Sequence, residues 1–141
     1  MAKEIGFSFD AGGDHELRSS GLPLFKGAEL TNVLRGLTGG ADTFLVDVNK
    51  GSEGDMPQTV ACFHLAETIF RDFKLSPENA VRRIAQAFGA QDIDFEESPA
   101  FSRRYRLRGA SPEPAVRHLF TSEALRFFEK NPGWTVEGCG G

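Results

Sequence analysis

Tyrosine and tryptophan are nearly absent from this chain, one of each in 141 residues, against thirteen phenylalanines. Phenylalanine has no polar handle, so most of this aromatic content is assigned to a core. Cysteine is equally scarce. Cys62 and Cys139 have no metal-ligand spacing and make no disulfide framework, which fits a reduced, cytoplasmic setting. No run approaches 18 apolar residues and the N-terminus lacks the apolar centre of a signal peptide, so the chain reads as soluble, without a membrane span or export signal. Positive charge is in deficit: the net charge is −4 and the isoelectric point about 5.4. That argues against nucleic acid or anionic lipid held by the whole surface, and leaves only a local patch open. The glycine pairs at 12–13, 39–40 and 140–141 do not lead from a buried strand into a helix, so there is no phosphate-binding loop and no implied cofactor. Internal repeats and low-complexity segments are missing too.

What the chain does have is ordinary for a globular protein, with 40% hydrophobic and 26% charged residues, and its length fits one domain over 1–141. The stretch from Ser76 to Lys130 is the most strongly patterned. Ser76-Pro77-Glu78 has the form of a helix opening, and Val81, Ile84, Ala85 and Phe88 recur at helical spacing before Gly89. Asp92 to Glu97 alternates as a strand, with Ile93 and Phe95 on one face. Phe101 to Arg108 does the same, with Phe101, Tyr105 and Leu107 apolar and Arg104, Arg106 and Arg108 polar. Folded as a hairpin, the acidic row of Asp92, Asp94 and Glu96 would lie beside the basic row and help to choose the register. Ser111-Pro112-Glu113 opens a second helix running to Asn131-Pro132-Gly133, which Thr121-Ser122-Glu123 would split into two short ones.

Before this stretch the pattern is mostly strand. Ile5 to Phe9 alternates, Ala11 to Gly21 reads as a loop, and Leu22 to Phe25 as a short edge strand. Leu30–Leu37 and Thr43–Val48 form a hairpin across Thr38-Gly39-Gly40, with Phe44, Val46 and Val48 on one face. Gln58–Leu65 and Ile69–Leu75 follow as strands on their β-branched and aromatic content, although Val60, Phe63, Glu67 and Phe70 would also suit a helix, and Trp134–Glu137 ends the series. Runs of strands with late helices predict an α+β fold: a mainly antiparallel sheet with two helices in the C-terminal half. The expected core is Phe44, Val46, Phe63, Ile84, Phe88, Phe95, Phe101, Leu107, Leu119, Phe120 and Phe127.

Several segments resemble, in order, an uncharacterised family of bacterial domains of unknown function that are often attached to membrane-spanning helices. They are Ile5-Gly6-Phe7-Ser8-Phe9, Asn32-Val33-Leu34-x-Gly36, Val46-Asp47, Gln58-Thr59-Val60, Leu75-x-Pro77-Glu78 and Phe88-Gly89-x-Gln91-Asp92-Ile93-Asp94-Phe95. Pro99-x-Phe101-Ser102, Tyr105-x-Leu107-x-Gly109, Val116-Arg117-x-Leu119-Phe120 and Val136-Glu137-Gly138 continue the series. The resemblance implies a domain that works beside a membrane, and it implies no activity. The chain departs from it in having no membrane helix, and at Asp47-Val48-Asn49-Lys50, where an aromatic-rich segment is expected.

Three groups of residues carry candidate chemistry. Cys62 and His64, two apart on one strand face, suggest a thiolate–imidazole nucleophile or a metal pair, against the commoner reading of a buried cysteine beside a half-exposed histidine. Asp92, Asp94, Glu96 and Glu97 offer carboxylates without calcium-loop spacing, and an ion-paired sheet face explains them better than a metal. Arg103, Arg104, Arg106 and Arg108 around Tyr105 suit phosphate or headgroup binding unless the acidic row neutralises them. His15 and His118 have no evident partner. The favoured reading is a non-enzymatic interaction module for a protein or membrane-proximal partner. The alternative is a small anion-binding domain or enzyme using the arginine row or the Cys62/His64 pair.

Overall fold

A computed structural model describes residues 2–51, 56–66, 71–79, 92–110 and 113–140. The chain divides into two compact units, 1–68 and 69–141, each with its own sheet and apolar core. Every strand pairing is antiparallel, and the class is α+β, with helices mostly in the C-terminal half.

In the first unit β1 (Ser8–Phe9), β2 (Glu29–Thr38), β3 (Ala41–Asn49) and β4 (Gln58–His64) form one sheet in that order. The expected hairpin of β2 and β3 is present. Gly39 and Gly40 both have positive φ, 58° and 84°, which a two-residue turn matched to the strand twist requires. Phe44, Val46 and Val48 are buried, and Leu17, Phe25, Ala28 and Val33 join them in the core. Val60 and Cys62 of β4, opposite Val46 and Phe44, extend the same face.

Four local expectations fail in this unit. The segment 11–21 is not all loop: it contains helix α1 (Gly13–Ser19), whose single large buried side chain, Leu17, gives no helical stripe to detect. Leu22 to Phe25 is not a strand, because Pro23 opens a 3-10 turn that buries Phe25. Ile5 to Phe9 does not run as one strand, because Gly6 turns at φ 74° and only Phe7 of the three apolar residues is buried. Phe63, expected in the core, lies on the other face of β4 and is 52% exposed.

In the second unit the sheet order is β6 (Tyr105–Gly109), β5 (Phe73–Pro77), β7 (Val136–Gly138). Leu75 stands between Leu107 and Val136 in register, and Lys74 is ion-paired with Glu137 across the β5–β7 ladder. Ser76 and Pro77 therefore end a strand, and a 3-10 turn at Glu78 and Asn79 follows it. Proline is tolerated there because a strand end can dispense with its missing N–H. The expected helix over 81–88, with Ile84 and Phe88, lies outside the described residues.

The acidic–basic hairpin is also replaced. Ser98-Pro99 starts helix α2 (Pro99–Arg104), so Phe101 and Tyr105 meet by helical spacing and only Tyr105 to Gly109 is extended. β5 supplies the apolar partner that β6 needs. The acidic segment touches the other side of β6 through the Asp92–Arg108 bridge and the Ile93 N–H donated to Leu107 O at 2.8 Å. Ile93 and Phe95 are buried as their alternation requires. The last helix is two, α3 (Glu113–Arg117) and α4 (Ser122–Lys130), with Thr121 accepting from Ala124 N as the cap between them. Phe95, Phe101, Phe120 and Phe128 form a ring cluster with Tyr105. Phe127, expected among them, turns outward and is 50% exposed.

Candidate functional site

The arginine row is engaged by its own unit. Arg108 Nε donates to Asp92 at 2.9 Å, and Arg106 reaches Glu78 at 2.7 Å and Asp92 at 3.6 Å. Arg104 donates to the Glu129 carbonyl at 2.6 Å, and Arg103 lies on the exposed side of α2. The carbonyl of Asp94 accepts from Arg117, whose guanidinium also stacks over Phe95 at 4.9 Å. The expected three-by-three ladder is therefore reduced to Asp92 shared by Arg106 and Arg108, with Glu78 in place of Asp94 and Glu96. Among the described residues no single face displays four free guanidinium groups.

Cys62 and His64 do share a face of β4, but their surroundings differ. Burial beneath the sheet pushes the Cys62 thiol above its ordinary pKa, which suppresses the thiolate a nucleophile needs. His64 instead stands opposite Asp42 in the β3–β4 register. One donor atom each from His64, Asp42 and Glu16 lies within 4.8 Å of the others.

Arg35 organises this cluster, which the sequence gives no means to assemble. Its Nε donates to Asp42 Oδ1 at 3.0 Å and Nη2 to the second oxygen of the same carboxylate. Nη1 reaches Glu16 at 3.2 Å and Asp10 at 3.9 Å, while the guanidinium carbon sits 5.0 Å from the Phe44 ring centre. The hydrogen bond from Arg35, and then its charge with that of His64, holds the Asp42 carboxyl below the ordinary range despite some desolvation. Arg35 is held above its own usual pKa, first by the Asp42 hydrogen bond. Glu16, Asp42 and His64 are a possible donor set for a divalent cation. Both Asp42 oxygens and a Glu16 oxygen already accept from Arg35, so an ion would compete with a resident cation.

The cluster stands at one end of β4, and β4 is the outer strand of its sheet among the described residues. Among the described residues the sheet edges differ in how they are protected. β2 is interrupted by a bulge between Thr31 and Leu34, where Asn32 takes φ 52°, and β1 covers part of it. β6 carries Arg106 and Arg108 and meets Asp92. β7 is three residues long and carries Glu137. β4 runs seven residues in unbroken register from Gln58 to His64, with no Asp, Glu, Lys, Arg or proline. Charges, prolines, bulges and short length are the usual protections of a sheet edge, and β4 lacks all four.

Its outward face is exposed at Thr59, Ala61 and Phe63. Thr59 Oγ1 donates to Asp47 at 2.7 Å and Asn32 Nδ2 donates to the other oxygen at 2.8 Å, so Asp47 is held as a carboxylate below its ordinary pKa. These bonds fix the base of the edge strand to β3 and β2. The sequence pattern marks Gln58 to Leu65 as a strand but does not show that it is an edge. Its uncharged composition is the signal that was present. Among the described residues no helix is long and apolar enough to cross a membrane. No protein-family model, no curated protein and no solved structure matches this chain.

Proposed function

We propose that this chain is a non-enzymatic interaction module whose binding surface is the outer edge of β4, used by strand addition. The observation that carries the reading is the contrast between β4 and the other sheet edges: among the described residues only β4 is long, unbulged and free of Asp, Glu, Lys and Arg. Along such a strand alternate residues turn backbone N–H and C=O groups outward, and an extended segment supplies their partners while side chains choose the register. The reading favours a protein partner over an anionic polymer, because Arg104, Arg106 and Arg108 already have acceptors within their unit. It favours binding over catalysis, because the Cys62 thiol is pushed up by burial and the Asp42 carboxylate is tied to Arg35.

The test is a photo-crosslinking residue in place of Phe63, introduced in the cell of origin, with the adducts mapped by mass spectrometry. The reading expects adducts to an identified extended segment, lost when Ala61→Lys places a charge on the edge. An absence of adducts at position 63, or adducts indifferent to Ala61→Lys, overturns it.

A further inference from the structure

We infer that the segment added to β4 is β4 of a second copy, running antiparallel about a twofold axis through Ala61, so that two four-stranded sheets become one. This rests on the reading of β4 as a strand-addition edge and names its occupant.

Opposite residues of an antiparallel pair point to the same face, so the register decides which faces become continuous. Centred on Ala61, Gln58 meets His64, Thr59 meets Phe63 and Val60 meets Cys62, each twice, and Ala61 meets itself. This register pairs all seven residues of β4. A shift by one residue sets the core face of one copy against the outer face of the other. A shift by two, in either direction, leaves the ends of the strand unpaired.

The side chains agree with the register. Val60 and Cys62 pack on the core face beside Val46 and Phe44, so an apolar row continues from Phe44 and Cys62 into Val60 and Val46 of the second copy. On the outer face the half-exposed Phe63 ring meets a β-branched threonine, a favourable cross-strand pair. Charge is complementary in the restrictive sense that no ionised side chain opposes one of its own sign. β4 contains no acid, lysine or arginine, and His64 faces the neutral Gln58. A closed twofold contact also consumes the β4 edges of both copies at once.

A single strand pair about 24 Å long is a small interface, so the pairing is reversible and depends on concentration. The experiment is sedimentation equilibrium of the wild type, Ala61→Lys, Ala61→Glu and an equal mixture of the two variants, up to about 1 mM chain. Ala61 is exposed, and either substitution puts like charges face to face at the axis. The expected result is a concentration-dependent dimer for the wild type, at least a tenfold weaker dimer for each variant alone, and recovery in the mixture. The recovery excludes misfolding as the cause of the loss. A wild type that stays monomeric throughout overturns the inference, and so does a dimer unaffected by either charge. If the wild type is monomeric while position 63 still crosslinks to a different protein, self-pairing falls and the edge reading stands.

Discussion

Arg35 and Asp42 meet through both guanidinium-to-carboxylate contacts of a bidentate pair, although they lie on neighbouring strands two residues out of register, Arg35 opposite Phe44 and Asp42 opposite Leu37. The pair closes the end of the sheet where His64 finishes β4, and Glu16 of α1 is tied into it through the same guanidinium. Its electrostatic consequence is an acid-sensitive first unit. The folded pKa of Asp42 is below the ordinary 3.8, and that of Asp47 is lowered too, first by Asn32 and then by Thr59.

The sign follows from proton counts. Between the lowered folded pKa and about 3.8 the unfolded chain binds protons at these carboxyls and the folded chain does not, so stability falls as pH falls through that window. Above it the contribution is fully present. Urea unfolding at pH 6 and pH 3 should therefore show a smaller pH-dependent loss for Asp42→Asn than for the wild type. An equal loss would mean that Arg35 does not hold the carboxylate in solution. The pair is only partly buried, so added salt should shrink the difference.

Phe101 is completely buried and touches the rings of Phe95, Tyr105, Phe120 and Phe128. Phe101→Ala should cost about 3–5 kcal/mol in denaturant unfolding. Phe127→Ala, on the exposed neighbour, should cost much less. Equal losses would contradict the placement of the core around α2 rather than around the whole phenylalanine set.

Arg108 and Asp92 are coupled across one bridge rather than in a ladder. A double-mutant cycle with Arg108→Ala and Asp92→Ala should give a coupling of about 0.2–1 kcal/mol. The corresponding cycle for Arg104 and Glu96 should give none, because Arg104 donates to the Glu129 carbonyl. Coupling between Arg104 and Glu96 would restore the extended acidic–basic hairpin.

Cys62 should behave as a protected thiol. Its pKa is raised by burial, so iodoacetamide should react with it at pH 7 more slowly than with a free cysteine, and the rate should still be rising with pH where that of a free cysteine has levelled off. Rapid alkylation at pH 7 that His64→Ala slows would show a thiolate–imidazole pair and favour catalysis over binding.

The alternation of Phe44, Val46 and Val48 about Gly39-Gly40 was legible because the period, the turn residues and the burial all agree. The two serine–proline pairs were not. Ser76-Pro77 ends a strand and Ser98-Pro99 begins a helix, and the local residues alone suit either outcome. The difference lies in tertiary partners: Leu75 has Leu107 and Val136 on its two sides, whereas Phe101 gains the aromatic cluster by turning helical. The Arg35 cluster draws on residues 10, 16, 35, 42 and 64, which only the β2–β3–β4 register and α1 bring together. Cys62 and His64 were placed correctly on one face, but the acid beside His64 comes from the neighbouring strand. The uncharged run of β4 was visible, yet its meaning depends on the strand order, which a single sequence does not disclose.

Backbone amide exchange across β4, followed residue by residue at dilute and at high protein concentration, tests the role of this edge most directly. Pairing predicts that alternate amides between Gln58 and His64, those turned away from β3, become protected as concentration rises, while exchange in β2 and β3 stays constant. Exchange along β4 that does not change with concentration would contradict it.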